Sequence, residues 1–234
     1  MAGKLYLIPS FLSPVAPDRV FPAYNIALLP QIQYYVVEEL RTARRFLRAC
    51  CHDIDIDSLH FEVLNEHTDA SAVAAMLAPV FEGHDIGLVS EAGCPAVADP
   101  GADLVAVAQS KGIEVVPLVG PSSILLALMA SGFNGQSFAF LGYLPFDSAR
   151  RSATFKEMER CMRRGQTQIF IETPYRNRRL IDELCAVFAP GTLLCVACDL
   201  TGEAQSVRTM PLSAWRTDKT DYAKRPAIFL LYKS

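Results

Sequence analysis

Residues 85–101, Asp-Ile-Gly-Leu-Val-Ser-Glu-Ala-Gly-Cys-Pro-Ala-Val-Ala-Asp-Pro-Gly, constrain the fold more than any other stretch. Ile86 to Val89 is a short apolar run bounded by turn formers and reads as a buried strand. Ser90, Gly93, Pro95, Asp99, Pro100 and Gly101 make the following loop, and a helical pattern runs from Ala102 to Gln109. Strand, loop and helix in that order belong to an α/β sheet that opens at its carboxyl edge, where ligands bind. Most such loops are about 2–6 residues long. A longer one, with Gly93 to let backbone approach a ligand and two prolines to stiffen it, reads as functional rather than as a bare connection.

The same rhythm fills the chain. Strands are expected over Lys4 to Pro9, Gln33 to Val37, Leu59 to Leu64 and Ile113 to Leu118, and helices over Ala23 to Ile32 and residues 70–82. Ser10 to Pro22 is rich in proline and reads as a long loop. Gly120-Pro121-Ser122-Ser123 opens an apolar helix, Ile124 to Ser131; proline in a first turn with serines beside it is a good start signal. Free N–H groups at such a start can hold a carboxylate; ordinary capping by Ser122 or Ser123 is compatible with that. Beyond it come strands Phe138 to Tyr143, Gln168 to Ile171 and Leu193 to Leu200, helices Ala149 to Arg164 and Arg176 to Phe188, and antiparallel strands Ser206 to Met210 and Ala227 to Tyr232. The pattern predicts two α/β domains, 1–119 and 120–234.

A 51% hydrophobic content and 20% charge suit a globular α/β chain with a sizeable core. No apolar stretch reaches the roughly 18 residues of a membrane span, and no signal peptide is evident. Seven cysteines in mostly apolar surroundings point to reduced thiols and a cytoplasmic protein. Cys195-Val-Ala-Cys198 has CxxC spacing but lies in an apolar run with no second pair, and the four histidines show no metal spacing, so no metal site is expected.

The net charge of −3 does not advertise a nucleic-acid binder. Arginines nonetheless cluster. Arg41, Arg44, Arg45 and Arg48 would line one stripe of a helix, either a solvated face or a phosphate-binding one, for which guanidinium suits better than ammonium. Glu38 and Glu39 precede that stripe at a strand's carboxyl end. They read either as an acid/base pair or as acids favouring a helix dipole.

Glu91-Ala-Gly-Cys-Pro95 with Asp99-Pro-Gly101 resembles the Asp-Ala-Gly-Thr-Pro…Asp-Pro-Gly signature of the tetrapyrrole-methylase-like S-adenosylmethionine (SAM) methyltransferases. Val115-Val-Pro-Leu-Val-Gly-Pro121 and Gly142-Tyr-Leu-Pro145 are similar to motifs of the branch that methylates ribose 2′-oxygens of small-subunit ribosomal RNA. Glu38-Glu-Leu-Arg41 is similar to that branch's Glu-Asp-Thr-Arg, Glu172-Thr-Pro-Tyr-Arg176 to its Tyr-Glu-Ala-Pro-His-Arg, and Asp199-Leu-Thr to its Glu-Leu-Thr. Two motifs depart. Pro9-Ser-Phe-Leu-Ser-Pro-Val15 lacks a Gly-Asn pair, and Lys224-Arg-Pro226 stands in place of Lys-Gly-Glu.

The resemblance implies a SAM-dependent methyltransferase of two α/β domains with a SAM-binding cleft between them, and a homodimer. It places the donor against Ala92, Gly93, Cys94, Pro95 and Val97, against Pro121, Ser122, Ser123 and Ile124, and against Glu172, Thr173, Leu200, Pro226, Ala227 and Ile228. It makes Glu39 the first candidate for the base and Glu38 the second, with Arg41 beside them. Arg44, Arg48, Tyr175 and Arg176 are the candidates for contact with a ribosomal RNA substrate. Two other readings are a methyltransferase of the same fold acting on a tetrapyrrole-type small molecule and a SAM-binding paralogue without activity.

Overall fold

The structure is a computed structural model that describes residues 2–65 and 67–233. The chain forms two compact units, Met1–Ser122 and Ser123–Ser234.

In the first unit, strands β1 (Leu5–Ile8), β2 (Tyr34–Val37), β3 (His60–Val63), β4 (Ile86–Val89) and β5 (Val115–Pro117) form one parallel sheet in the order β3-β2-β4-β1-β5. Helices α1 (Ala23–Leu28), α2 (Leu40–Cys50), α3 (Ala70–Ala75), α4 (Ala78–Phe81) and α5 (Gly101–Ser110) cover it. All four residues of β4 are buried, as a central parallel strand under helices on both faces requires. The edge strand β3 leaves His60, Glu62 and Val63 exposed. Leu28, Ala43, Phe46 and Leu47 of α1 and α2 pack on one face of the sheet. Val73, Val80, Leu104 and Ala108 of α3, α4 and α5, with Leu77 between α3 and α4, pack on the other.

The one helix expected over residues 70–82 is instead α3 and α4. Pro79 has no N–H, and its ring conflicts with the carbonyl of Ala75, so the helix breaks between them. The helix expected to run to Ile32 tightens into a 3-10 turn at Leu29–Gln31, where Pro30 intervenes.

The second unit opens with α6 (Ser123–Ser131) and continues through β6 (Phe138–Tyr143), α7 (Ser148–Met162), β7 (Thr167–Ile171), α8 (Asn177–Val187), β8 (Leu193–Cys198), β9 (Ser206–Pro211), α9 (Leu212–Trp215) and β10 (Ala227–Tyr232). Its sheet runs β6-β7-β10-β8-β9, with β6 and β7 parallel and the other neighbours antiparallel. Phe155, Met158, Leu180, Ile181, Leu184 and Trp215 join Phe170, Val196 and Phe229 in one core on one side of it. Each such buried side chain contributes about 1.5–3 kcal/mol. Trp215 is fully buried and donates Nε1–H to the Leu194 carbonyl at 2.9 Å, so its one polar group is satisfied.

Candidate active site

The carboxyl edge of the first sheet carries the site. β1 feeds α1 on one face while the neighbouring β4 feeds α5 on the other, so the connections part between these two strands. Such a switch point is where α/β sheets bind ligands. Ser10, just past β1, bridges Gly93, just past β4; the Ser10 N–H donates to the Gly93 carbonyl at 2.9 Å. Gly93 sits at φ +76°, and a Cβ there would lie 3.2 Å from Leu12 Cδ2 and 3.5 Å from the Pro121 carbonyl oxygen. Three loops of the sequence motifs, 9–12, 91–97 and 119–122, therefore meet in this unit.

Asp99 explains the Asp-Pro-Gly part of the motif. Its Oδ1 accepts from the Ala96 N–H at 2.9 Å and the Gly101 N–H at 2.7 Å, tying the loop to the start of α5. A Cβ on Gly101 would lie 2.7 Å from that oxygen and 2.9 Å from Leu88 Cδ2. Alanine normally favours a helix over glycine. Here Gly101→Ala is expected to destabilise by about 1–3 kcal/mol, because crowding outweighs propensity. A lower urea midpoint at unchanged slope, followed by circular dichroism, checks this.

Loops of both units store strain. Among the described residues, the non-glycine positions with positive φ are Ala96, Ala98, Asp199, Thr201 and Lys224. Left-handed backbone costs an L-residue roughly 1–2 kcal/mol, and strain of this kind concentrates at functional sites. Ala96 and Ala98 lie in or beside the 91–97 loop. Asp199 and Thr201 flank Leu200, and Lys224 precedes the 226–228 segment.

In the second unit one sheet edge gathers the other donor candidates. Glu172 and Thr173 leave β7, Leu200 follows β8, and Pro226 leads into β10; Ile171 is registered against Ile228, and the Asp199 N–H donates to the Pro226 carbonyl at 3.0 Å. Where the resemblance expects Gly-Glu, Arg225 donates Nε–H to Asp199 Oδ2 at 2.6 Å and Nη2–H to the Ala204 carbonyl at 2.8 Å. A side-chain clamp thus holds the turn in this chain. Sequence spacing assigns no separate role to Ser10, Asp99 or Arg225. Asp99 carries a signal in its motif, whereas the Ser10 bridge and the Arg225 clamp depend on partners distant in sequence.

The two glutamates separate on structure. Glu39 is the N-cap of α2, exposed, with Oε2 accepting from the Thr42 N–H at 2.7 Å and the Thr42 hydroxyl at 3.0 Å. The N–H groups of Arg41 and Thr42 hold its carboxyl below the usual range. A carboxylate stabilised in that way is a weak proton acceptor. Glu38 is half-buried, lines a small pocket with Ser90 and Asp99, and has Oε2 3.4 Å from the Glu91 N–H. Burial pushes its carboxyl up, opposed by that N–H and reinforced by the charges of Glu91 and Asp99. The two carboxylates thus sit in opposite environments, Glu39 held charged at a helix cap and Glu38 half-buried beside Ser90 and Asp99.

Arg41, Arg44, Arg45 and Arg48 are all exposed on α2, opposite its buried Ala43, Phe46 and Leu47. Arg44 lies over the Phe61 ring at 5.5 Å. Cys94 is half-buried with its thiol pushed up by burial, against the Ser122 contact, which makes it a poor nucleophile. Cys195 and Cys198 are three apart on β8 and face opposite sides of the sheet, so the CxxC spacing forms no chelate. Tyr175 is 78% exposed, and the Arg176 guanidinium lies 4.7 Å over the Phe146 ring.

Comparison with known proteins gives the frame for this geometry. Residues 30–215 match the family model for Tetrapyrrole (Corrin/Porphyrin) Methylases. The chain belongs to this family. It is therefore a SAM-dependent methyltransferase. It is 28% identical to "Ribosomal RNA small subunit methyltransferase I" of Vibrio cholerae serotype O1, over 99% of this chain and 77% of that protein. The protein of the same name from Streptococcus pyogenes serotype M6 is 30% identical over 83% of this chain and 64% of its own length. In fold, the chain is similar to the methyltransferase CobJ, with a TM-score of 0.66 at 19% identity, covering 100% of this chain and 95% of that one. It is also similar to uroporphyrin-III C-methyltransferase from Thermus thermophilus complexed with S-adenosylhomocysteine, with a TM-score of 0.62 at 15% identity, covering 99% and 98%.

The residues present fit SAM. Among the described residues, the buried hydroxyls Ser10 Oγ of the first unit and Thr201 Oγ1 of the second have no protein partner. Each stands at a sheet edge that carries motif loops, and a buried hydroxyl normally has a partner. The Gly93 backbone leaves room that a side chain would fill.

Proposed function

We propose that this methyltransferase 2′-O-methylates a ribose of small-subunit ribosomal RNA. The observation that carries the reading is the similarity over 99% of the chain to a methyltransferase named for that RNA. The exposed arginines of α2, which begins two residues after Glu38, support it.

SAM supplies a methyl group made electrophilic by the attached sulfonium. The chain's task is to hold the acceptor in line and to remove its proton. Glu38 takes the 2′-hydroxyl proton; its raised basicity suits that role. In the first unit, Gly93, Ser10 and the 119–122 loop hold the donor. Arg41, Arg44 and Arg48 hold the RNA backbone by charge-assisted hydrogen bonds to phosphate. The family resemblance also implies a homodimer. The exposed Phe138, Leu141 and Tyr143 on the edge strand β6 are suited to such an interface.

The test is direct. Small-subunit ribosomal RNA incubated with the protein and SAM should gain one alkali-resistant linkage, because a methylated 2′-oxygen cannot attack its own phosphate. No such linkage with any small-subunit substrate would refute the reading. Replacing both Arg44 and Arg48 with glutamine is expected to weaken RNA binding and to flatten its salt dependence by about 0.7 log units for each phosphate no longer neutralised. SAM affinity should not change. Equal RNA affinity would leave α2 as a solvated face.

A further inference from the structure

The second unit contains a cavity of about 450 Å³ between α7, α8 and the loop carrying Phe146. Its volume falls in the range of small-ligand sites. Four cationic side chains line it, Arg151, Lys156, Arg176 and Arg179, against two carboxylates, Glu159 and Glu183. Pairing inside the protein sorts them. Arg151 is buried and donates to both oxygens of Glu183 at 2.7–3.0 Å, fixing α7 to α8. Glu159 is taken by Arg163 at 2.9 Å. Arg176 reaches a carboxylate, Glu172, only at 3.8 Å. Lys156 and Arg179 are exposed and have no carboxylate partner among the described residues. Both acids are thus neutralised, and the cavity presents an unbalanced positive pair in a chain of net charge −3.

The mouth of the cavity carries Phe146, 72% exposed, with the Arg176 guanidinium 4.7 Å over its ring. An exposed aromatic beside uncompensated cations is the combination that single-stranded nucleic acids use, a base stacking on the ring while a phosphate meets the charges. An inorganic anion or an acidic peptide would find the charges but would have no use for the ring.

We propose that this cavity, built by the second unit alone, is a second RNA-binding site. One phosphodiester of the substrate strand seats against Lys156 and Arg179, and a neighbouring base stacks on Phe146. The inference rests on the RNA reading above and adds residues which that reading does not use.

The test measures binding of a fluorescein-labelled single-stranded fragment of small-subunit ribosomal RNA to the full chain by anisotropy, over a series of KCl concentrations. SAM affinity by calorimetry and the melting temperature are followed in parallel. The double variant Lys156→Gln, Arg179→Gln should bind about tenfold or more weakly, with a salt slope reduced by about 0.7 for the phosphate left without its cations. Phe146→Ala should weaken binding about fivefold or more with the slope unchanged, and Phe146→Trp should restore it, because stacking carries no counterion release. SAM affinity and melting temperature should match the parent in all three. If the parent binds RNA and the variants bind equally well, the cavity plays no part and the RNA reading survives. If the parent itself binds no RNA, both fail. Loss of a dimer at unchanged RNA affinity would assign the surface to self-association and overturn the proposal.

Discussion

Gly93→Val is expected to lower SAM affinity by about a hundredfold or more while leaving the fold intact. Two effects add. The φ of +76° is left-handed backbone, which costs an L-residue about 1–2 kcal/mol and a β-branched one more. The new Cβ would also press on Leu12 Cδ2 at 3.2 Å and the Pro121 carbonyl at 3.5 Å, before the valine methyls are counted. The backbone cannot turn away cheaply. The Gly93 carbonyl accepts from the Ser10 N–H at 2.9 Å and lies 3.4 Å from the Ser90 hydroxyl. Relief must come from moving the 91–97 loop, and about 2.8 kcal/mol of lost complementarity is the stated hundredfold. The core of the first unit does not depend on this position, since Leu88, Val89 and Leu104 pack below the loop. Calorimetry with SAM and a urea titration together check the prediction. Normal SAM binding by the variant would reduce the loop to a connection.

Glu38→Gln is expected to lower kcat for RNA methylation by about 10²–10⁴-fold, the usual worth of a positioned general base. Glu39→Gln should keep the rate and lose only a little thermal stability, since its carboxylate serves as the cap of α2. The pH dependence gives a second handle. Burial raises the Glu38 pKa, so the base is protonated, and the rate lost, at a higher pH than for a free carboxylate. The sign for stability is opposite. The folded state takes up the Glu38 proton more readily than the unfolded chain. Stability from this group is therefore present in acid and lost as pH rises through the folded pKa. Glu38→Gln removes that cost, so the variant should be no less stable than the parent at neutral pH. A slow but stable Glu38→Gln protein separates chemistry from folding. If it were fully active, alignment of the acceptor alone would suffice, or another group would take the proton.

Much of the architecture is legible in the sequence because it depends on neighbours along the chain. Ile86–Val89 reads as a buried strand and forms one, and Pro121 with two serines marks the start of a helix that begins at Ser123. Pro79 shows the limit of periodicity. The apolar spacing over 70–82 continues through it, but the missing N–H breaks the helix all the same. The short α9 carries no pattern long enough to read; the burial of Leu212 and Trp215 makes it.

The sequence by itself determined the α/β alternation, the loop after β4 and the family to which the chain belongs, because these reside in local spacing and in residue types that tolerate few alternatives. Only the tertiary structure told the two acids apart. Glu38 and Glu39 are chemically alike and adjacent, and no pattern ranks them. Folding sends one to cap α2, where N–H groups stabilise its charge. It sends the other beside Glu91 and Asp99, where burial disfavours that charge. The same holds for the arginines. The sequence holds sixteen, and whether each is a strut or an exposed charge depends on the acid that folding brings to it. Arg151 meets Glu183 and Arg225 meets Asp199, across 32 and 26 residues, while those of α2 form no ion pair among the described residues. Desolvation and ion pairing are properties of a place in space, so they become readable only once the chain has folded.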